Sequence, residues 1–349
     1  MNMQAKEATV ASYMGEAASR RFRVEGNIPC RSGGTPLPPG ERSLLSRRAF
    51  SIGFFAALVC GALEAAEAAP FKLNVRPVKL ALGVPTPFTF IHFSDTHLTA
   101  ATADELAALG AERQSFHAKR VRIMSKNARA FAAVLARIRE TKSFAVNTGD
   151  LLDYVSEGGL SSAAAQRGLD ILTTPGNHEV TALDPAKRPT KKAMFAALGA
   201  RIEKAYGCRL PVEAKTVKGV KFVALDDAGV SRFRTDEALD ELKREFAEGL
   251  PTVLCCHIPL YSPELLAYER QGSKTKPASA WMLVGEEVEG VAPKPEAKAI
   301  VDFLKAQKNL KAVLAGHLHG FWQGTFNGTV PMIVAPANYA GHALAITVV

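Results

Sequence analysis

Short apolar runs that break off into polar clusters constrain this chain more than any other feature. Phe90-Ile91-His92-Phe93 stops at Ser94-Asp95-Thr96-His97-Leu98, and Phe144-Ala145-Val146-Asn147 runs into Gly149-Asp150-Leu151-Leu152-Asp153. The run ending in Thr174-Pro175 meets Gly176-Asn177-His178-Glu179. Val253-Leu254-Cys255-Cys256 stops at His257-Ile258-Pro259, and Ala312-Val313-Leu314-Ala315 at Gly316-His317-Leu318-His319. Runs of this length suit buried strands rather than helices.

Strands are expected at 88–93, 144–147, 168–173, 221–225, 252–256, 312–315 and 332–335. Between them 127–142, 191–206, 236–249 and 296–308 carry apolar residues every three or four positions, as amphipathic helices do. The alternation makes the class α/β. At 349 residues with 47% hydrophobic and 22% charged side chains, the chain can build a sizeable core. Residues 261–295, rich in Lys, Glu, Gly and Pro, follow His257 directly and read as a flap or insertion near the polar strand ends.

The N-terminus reads as an address. Ser46-Arg47-Arg48-Ala49-Phe50 precedes an apolar stretch from Ile52 to Leu63 and the small-residue site Ala66-Glu67-Ala68, a pattern that resembles a twin-arginine signal peptide over 45–68. The stretch is too short for a permanent membrane span, so export to the periplasm or medium by the twin-arginine machinery is expected. An uncleaved membrane anchor is the alternative. Lipidation at Cys60 is disfavoured because Val59 stands where a lipobox takes a small residue. Residues 1–44 read as a disordered extension or as the product of a start codon set too far upstream, and 69–349 as the working domain.

Composition excludes little beyond this. The net charge of +9 and pI near 9.3 favour anions generally, with no feature that singles out nucleic acid. The five cysteines form no CxxC spacing, which argues against a zinc ribbon or disulfide framework.

The chemistry sits at the strand ends. Asp95 and His97, like His317 and His319, are two apart, so in extended chain their side chains share a face. Carboxylate with imidazole suits a borderline divalent cation. In open α/β sheets functional groups gather where strand C-termini open into loops. His92 has the opposite parity from Asp95 and is expected to face away.

The ordered set Asp-x-His, Gly-Asp-x-x-Asp, Gly-Asn-His-Glu, His-x-Pro and Gly-His-x-His, spanning Phe88 to His319, resembles the calcineurin-like metallophosphoesterases. The resemblance implies a four-layer α/β/β/α sandwich of two mixed sheets flanked by helices. It implies two divalent or mixed-valence ions, Fe, Mn or Zn. Asp95, His97 and His319 would hold one, Asn177, His257 and His317 the other, and Asp150 would bridge them. It also implies hydrolysis of phosphomonoesters or phosphodiesters of a small substrate by a hydroxide shared between the ions. His178 would stabilise the transition state or protonate the leaving oxygen, and Asp153 would orient His178.

Tyr154 stands where the serine/threonine protein phosphatases carry Arg, which argues against phosphoprotein substrates. Asp153 stands where purple acid phosphatases have a tyrosine ligand, so a ferric-tyrosinate site is not expected. A cyclic-nucleotide or nucleotide phosphodiesterase is the narrower alternative. A metal-binding member without turnover and a mononuclear zinc hydrolase are the rivals. The basic residues Lys119, Arg120 and Arg122 are expected to form a solvated helix face, His117 and His342 to be structural, and Trp281 and Trp322 to pack.

Overall fold

Apolar side chains on both faces of a strand require cover on both sides, and the chain supplies it as two stacked sheets with helices outside. The computed structural model describes residues 71–183, 191–228, 235–272 and 276–349. The expected signal peptide at 45–68 and the extension before it lie outside the described residues.

The strands are β1 (Asn74–Leu80), β2 (Phe88–Phe93), β3 (Ala145–Asn147), β4 (Ile171–Thr173), β5 (Val212–Val217), β6 (Val220–Leu225), β7 (Thr252–Cys256), β8 (Leu310–Ala315), β9 (Trp322–Phe326), β10 (Val330–Val334) and β11 (His342–Val348). The helices that matter below are α1 (Ala103–Ala107), α2 (Ala111–Ile123), α3 (Asn127–Thr141), α4 (Glu157–Ala163), α5 (Lys191–Tyr206), α6 (Thr235–Ala247), α7 (Pro263–Gln271) and α8 (Pro295–Ala306). One sheet runs β1-β11-β2-β3-β4 and the other β5-β6-β7-β8-β10-β9. Both are mixed: β2, β3 and β4 are parallel, as are β6, β7, β8 and β10, while β2 meets β11 and β10 meets β9 antiparallel.

Side-chain alternation divides each strand between two cores. Phe90, Val146, Phe222, Ala224, Val253, Cys255, Leu314, Ile333 and Leu344 point between the sheets. There Phe222 packs edge-on against Phe90 and Phe144, with ring centroids 5.1 Å and 4.9 Å away. Ile91, Phe93 and Ala145 point outward to Phe131, Val134, Leu135 and Ile138 of α3. Val223, Leu225, Leu254, Cys256 and Val313 point outward to Leu242 of α6 and to Ile300 and Leu304 of α8. These are the four layers of the expected sandwich.

Residues 261–295 do more than hang near the site. Leu265 of α7, Met282, Leu283, Val284 and Val288 are buried in the same core as β7 and β8, and Leu260 bridges Leu283. Ser262 caps α7 by accepting from Leu265 N at 3.1 Å, with Pro263 at the first turn. The apolar residues of this segment follow neither period, so its polar composition masks its burial.

Among the described residues no helix is long and apolar enough to cross a membrane. Parallel register aligns the strand ends: Phe93, Asn147 and Thr173 are level across one sheet, and Cys255 is level with Leu314 in the other. The loops that follow meet at one edge of the sandwich.

Candidate metal centre

Same-face strand spacing does not account for the convergence of the motifs, contrary to the sequence expectation. Asp95 and His97 lie beyond the end of β2, and both are left-handed, with φ of 55° and 50°; so are Asp150 (48°), His317 (71°) and His319 (62°). Such backbone is costly for residues other than glycine, on the order of 1–3 kcal/mol each, and persists only where surrounding contacts fix it. Here Asp95 N donates to Gly149 O and His97 N to Asp150 O, each at 2.9 Å, tying the first motif to the second. At Gly316 a Cβ would strike the Ser94 side chain and Asp95 Oδ2, so only glycine lets the fifth motif close on the first.

Asp95 and Asp150 are each held by one carboxylate oxygen and offer the other. Asp95 Oδ2 accepts from His317 N at 3.0 Å, while buried Asp95 Oδ1 has no hydrogen-bond partner and lies 3.2 Å from His319 Nε2. Asp150 Oδ1 accepts from His178 N at 2.9 Å. Asp150 Oδ2 faces His257 Nε2 at 3.3 Å, His97 Nε2 at 3.7 Å and His178 Nε2 at 4.0 Å. Asn177 Oδ1 is 3.1 Å from His257 Nε2, and His97 Nε2 is 3.1 Å from His319 Nε2. His257 is oriented by its other nitrogen, which lies 2.7 Å from Thr148 O and donates there.

Three donor clusters occur among the described residues, Asp95-His97-Asp150-His319, Asp150-His257-His317 and His97-Asp153-His178; the first two share Asp150, and in the third the Asp153 carboxylate is already taken by Arg120. An unpartnered buried carboxylate oxygen aimed at imidazole nitrogens, with a mixed N/O donor set, fits a borderline divalent cation. All seven sequence-predicted metal ligands, with His178 beside them, meet at this edge. His319, 38% exposed at the side chain, and the partly exposed His178 mark its open side.

Asp153 departs from the expected role. Its carboxylate takes the fork of Arg120 (Nε to Oδ2 at 2.7 Å, with Nη2 to Oδ1), and Oδ1 lies 3.4 Å from His97 Nδ1. His178 Nδ1 instead donates to the Asp153 backbone carbonyl at 2.7 Å, with the carboxylate oxygen 3.7 Å away. Arg120 therefore turns inward, correcting the expectation of a wholly solvated basic face. His117 Nδ1, on the same helix α2, bonds the hydroxyl of buried Tyr154.

Sequence reading gave no role to four further residues at the site. Glu179 accepts from Gly176 N (2.6 Å), Leu152 N (2.9 Å) and the Tyr206 hydroxyl (2.6 Å), locking the third motif to the second. Asp227 Oδ1 accepts from His257 N and Ile258 N. Tyr339 lies edge-on to His97 and His319, its hydroxyl 3.4 Å from His319 Nδ1. Asn338 N donates to Ser94 O. Asp226-Asp227 follow β6 directly, so the same rule of polar strand ends would have found Asp227; nothing local flags Tyr339. His92 faces away as expected, 2.9 Å from Thr148 Oγ1, its pKa pushed down to about 3 by burial.

The electrostatics follow from four buried carboxylates, Asp95, Asp150, Asp153 and Asp227. Burial opposes charge on His97, but Asp153, Asp95 and Asp150 overcome it and raise its pKa to about 10. Burial likewise opposes charge on His257, and Asp150, Asp95 and Asp227 raise it to about 10. Burial and the neighbouring His257 push His317 down to about 3. Burial also raises Asp153, but His97 and Arg120 outweigh it and bring the group to about 2. Asp150, opposed by burial in the same way, is held well below the carboxylate range chiefly by His257 and His178.

The calcineurin-like phosphoesterase family model matches residues 88–321. Among solved structures, the chain is similar to a dimetal phosphatase from Danio rerio, at 11% identity over 72% of this chain and 88% of that one with a TM-score of 0.39. It is similar to a phosphopantetheinyl hydrolase from Mycobacterium tuberculosis, at 16% identity over 76% of this chain and 92% of that one with a TM-score of 0.38. It is also similar to a 5'-nucleotidase from Candida albicans, at 12% identity over 77% of this chain with a TM-score of 0.38, and spans 47% of that protein. No curated protein sequence matches the chain.

Because His97 and His257 have pKa values of about 10, both hold protons at neutral pH that a metal must displace. Metal affinity should rise as pH climbs from about 6 to about 9, with protons released into weakly buffered solution. With no metal bound, the two raised histidines stabilise the fold fully below about pH 6.5, and that contribution is lost as pH rises through about 10. Affinity that is flat with pH, by competitive chelator titration, would mean that neither imidazole is displaced.

Proposed function

Since the chain belongs to the calcineurin-like phosphoesterase family, we propose that it is a metal-dependent hydrolase of small phosphomonoesters or phosphodiesters, in which Asp150 would belong to the donor sets of both of two metal ions. The observation that carries this reading is the pair of donor clusters sharing Asp150, with His178 at their open side. Asp95, His97 and His319 would hold one ion and Asn177, His257 and His317 the other. When bound, such ions supply an activated water and neutralise charge on the phosphoryl oxygens.

The chain's own residues do the rest. His178 N is fixed to Asp150 and its Nδ1–H to the Asp153 carbonyl, which leaves Nε2 turned towards Asp150 Oδ2, 4.0 Å away. Burial lowers its pKa, so a proton that Nε2 takes up from solvent is held weakly and is readily given to a leaving oxygen. Glu179 and Asp227 keep the backbone of the third and fourth motifs in place. The basic excess of the chain favours anionic substrates, and Tyr154 in place of Arg points to small esters over phosphoproteins.

Metal-loaded protein should hydrolyse a chromogenic phosphodiester or phosphomonoester. His178→Ala should lose about 10²–10⁴-fold in kcat while retaining both metals. Wild type and variant equally inert across a broad ester panel, with metals bound, would leave a metal-binding protein without turnover.

The signal-like segment supports a second part of the proposal, export by the twin-arginine route after folding and metal loading. In a bacterial host, Arg47→Lys with Arg48→Lys should retain the protein in the cytoplasm. Unchanged extracytoplasmic yield of the double variant would remove the twin-arginine assignment without touching the chemistry.

A further inference from the structure

Helix α2 has no buried residue, and Phe116, Val121 and Ile123 on it are exposed. A helix without an apolar seat has to be held by other means. Gln114 bonds Leu106 O and Leu109 O, the Phe116 ring lies 6.4 Å from that of Tyr154, His117 bonds the Tyr154 hydroxyl, and Arg120 reaches in to Asp153. The Arg120 side chain is 19% exposed and the Asp153 side chain 1%, so the guanidinium has entered the site edge to meet a buried carboxylate.

Asp153 is a hub. Both its oxygens are engaged by the Arg120 fork, and Oδ1 also lies 3.4 Å from His97 Nδ1 and 3.7 Å from His178 Nδ1. His97 Nδ1 is buried and makes no hydrogen bond, while His97 Nε2 faces Asp95, Asp150 and His319. A planar fork fixes both the position and the plane of a carboxylate, which a lysine ammonium cannot do. Freed of it, the Asp153 carboxylate could swing from His97 to His178, whose Nδ1 is only 0.3 Å farther by the two distances above.

On the metal-centre reading above, we infer that Arg120 is a positioning residue: its fork holds the Asp153 carboxylate against His97 Nδ1, so that His97 presents Nε2 to the metal. Arg120 lies outside all five motifs, on a helix inserted after the first. The chain of contacts runs from a surface helix through Arg120 and Asp153 to His97, and it has the form of a carboxylate that orients a ligating imidazole, with one more member behind it.

The test uses the full chain with Mn(II) or Zn(II) and a competing chelator. Arg120→Ala should weaken affinity for one of the two metal equivalents by roughly 10–100-fold, the range for loss of such outer partners, with far-ultraviolet circular dichroism unchanged. Arg120→Lys should restore only part of it, and His117→Phe, which disturbs the helix seat without touching Asp153, should leave it unchanged. If Arg120→Ala does not fold, Arg120→Gln serves in its place. Wild-type affinity in Arg120→Ala overturns the inference, as does an equal loss in His117→Phe, or a change confined to KM for an ester. A wild-type protein that takes up no metal would instead defeat the proposed function itself.

Discussion

Three carboxylates, Asp95, Asp150 and Asp153, lie buried at one edge of the sandwich, and their charge is the constraint on which the surrounding structure depends. Taking a carboxylate out of water costs several kcal/mol even after relaxation, so each must be met by positive charge or hydrogen-bond donors. Backbone N–H groups of His317 and His178 take one oxygen of Asp95 and of Asp150, and Arg120 takes Asp153. The oxygens left over face imidazoles. His97 and His257 hold protons there when nothing else supplies positive charge, and a divalent cation can replace those protons. The same carboxylates thus account for the raised histidines, the metal fit and the inward turn of an arginine.

The sandwich serves this site by bringing two sheets to one edge. Parallel neighbours keep the strand ends level, and Thr174 Oγ1 to Leu225 O at 2.7 Å and His257 Nδ1 to Thr148 O at 2.7 Å stitch one sheet to the other beside the centre. Left-handed backbone at five candidate ligands then aims the side chains, and Gly316 gives the room they need. Packing around Phe222 fills the space between the two sheets behind that edge.

Much of this was legible in the sequence because it is local. The C-terminal halves of β2, β6, β7 and β8 are buried on both faces and therefore read as short, mostly apolar runs, and each stops at polar residues. Strand β1 was missed because it is an edge strand with a proline at Pro77 and exposed alternate residues, and β11 because alanines weaken its signal. The flap reading of 261–295 saw polar composition where irregular spacing hid Leu265 and Met282 in the core. The motif ligands could be named one by one, but their geometry could not: the backbone conformation at Asp95 and His97 has no signature in residue type. Arg120 and Tyr339 come from segments remote in sequence, and their contacts exist only after the sheets have stacked.

The central claim is that Asp150 joins two metal positions. Elemental analysis of protein dialysed against Mn(II) or Zn(II) tests it most directly, on wild type beside Asp150→Asn. The account predicts two equivalents per chain in wild type and loss of both, or a steep weakening of both, in the variant. One equivalent in wild type, undiminished by Asp150→Asn, would contradict it.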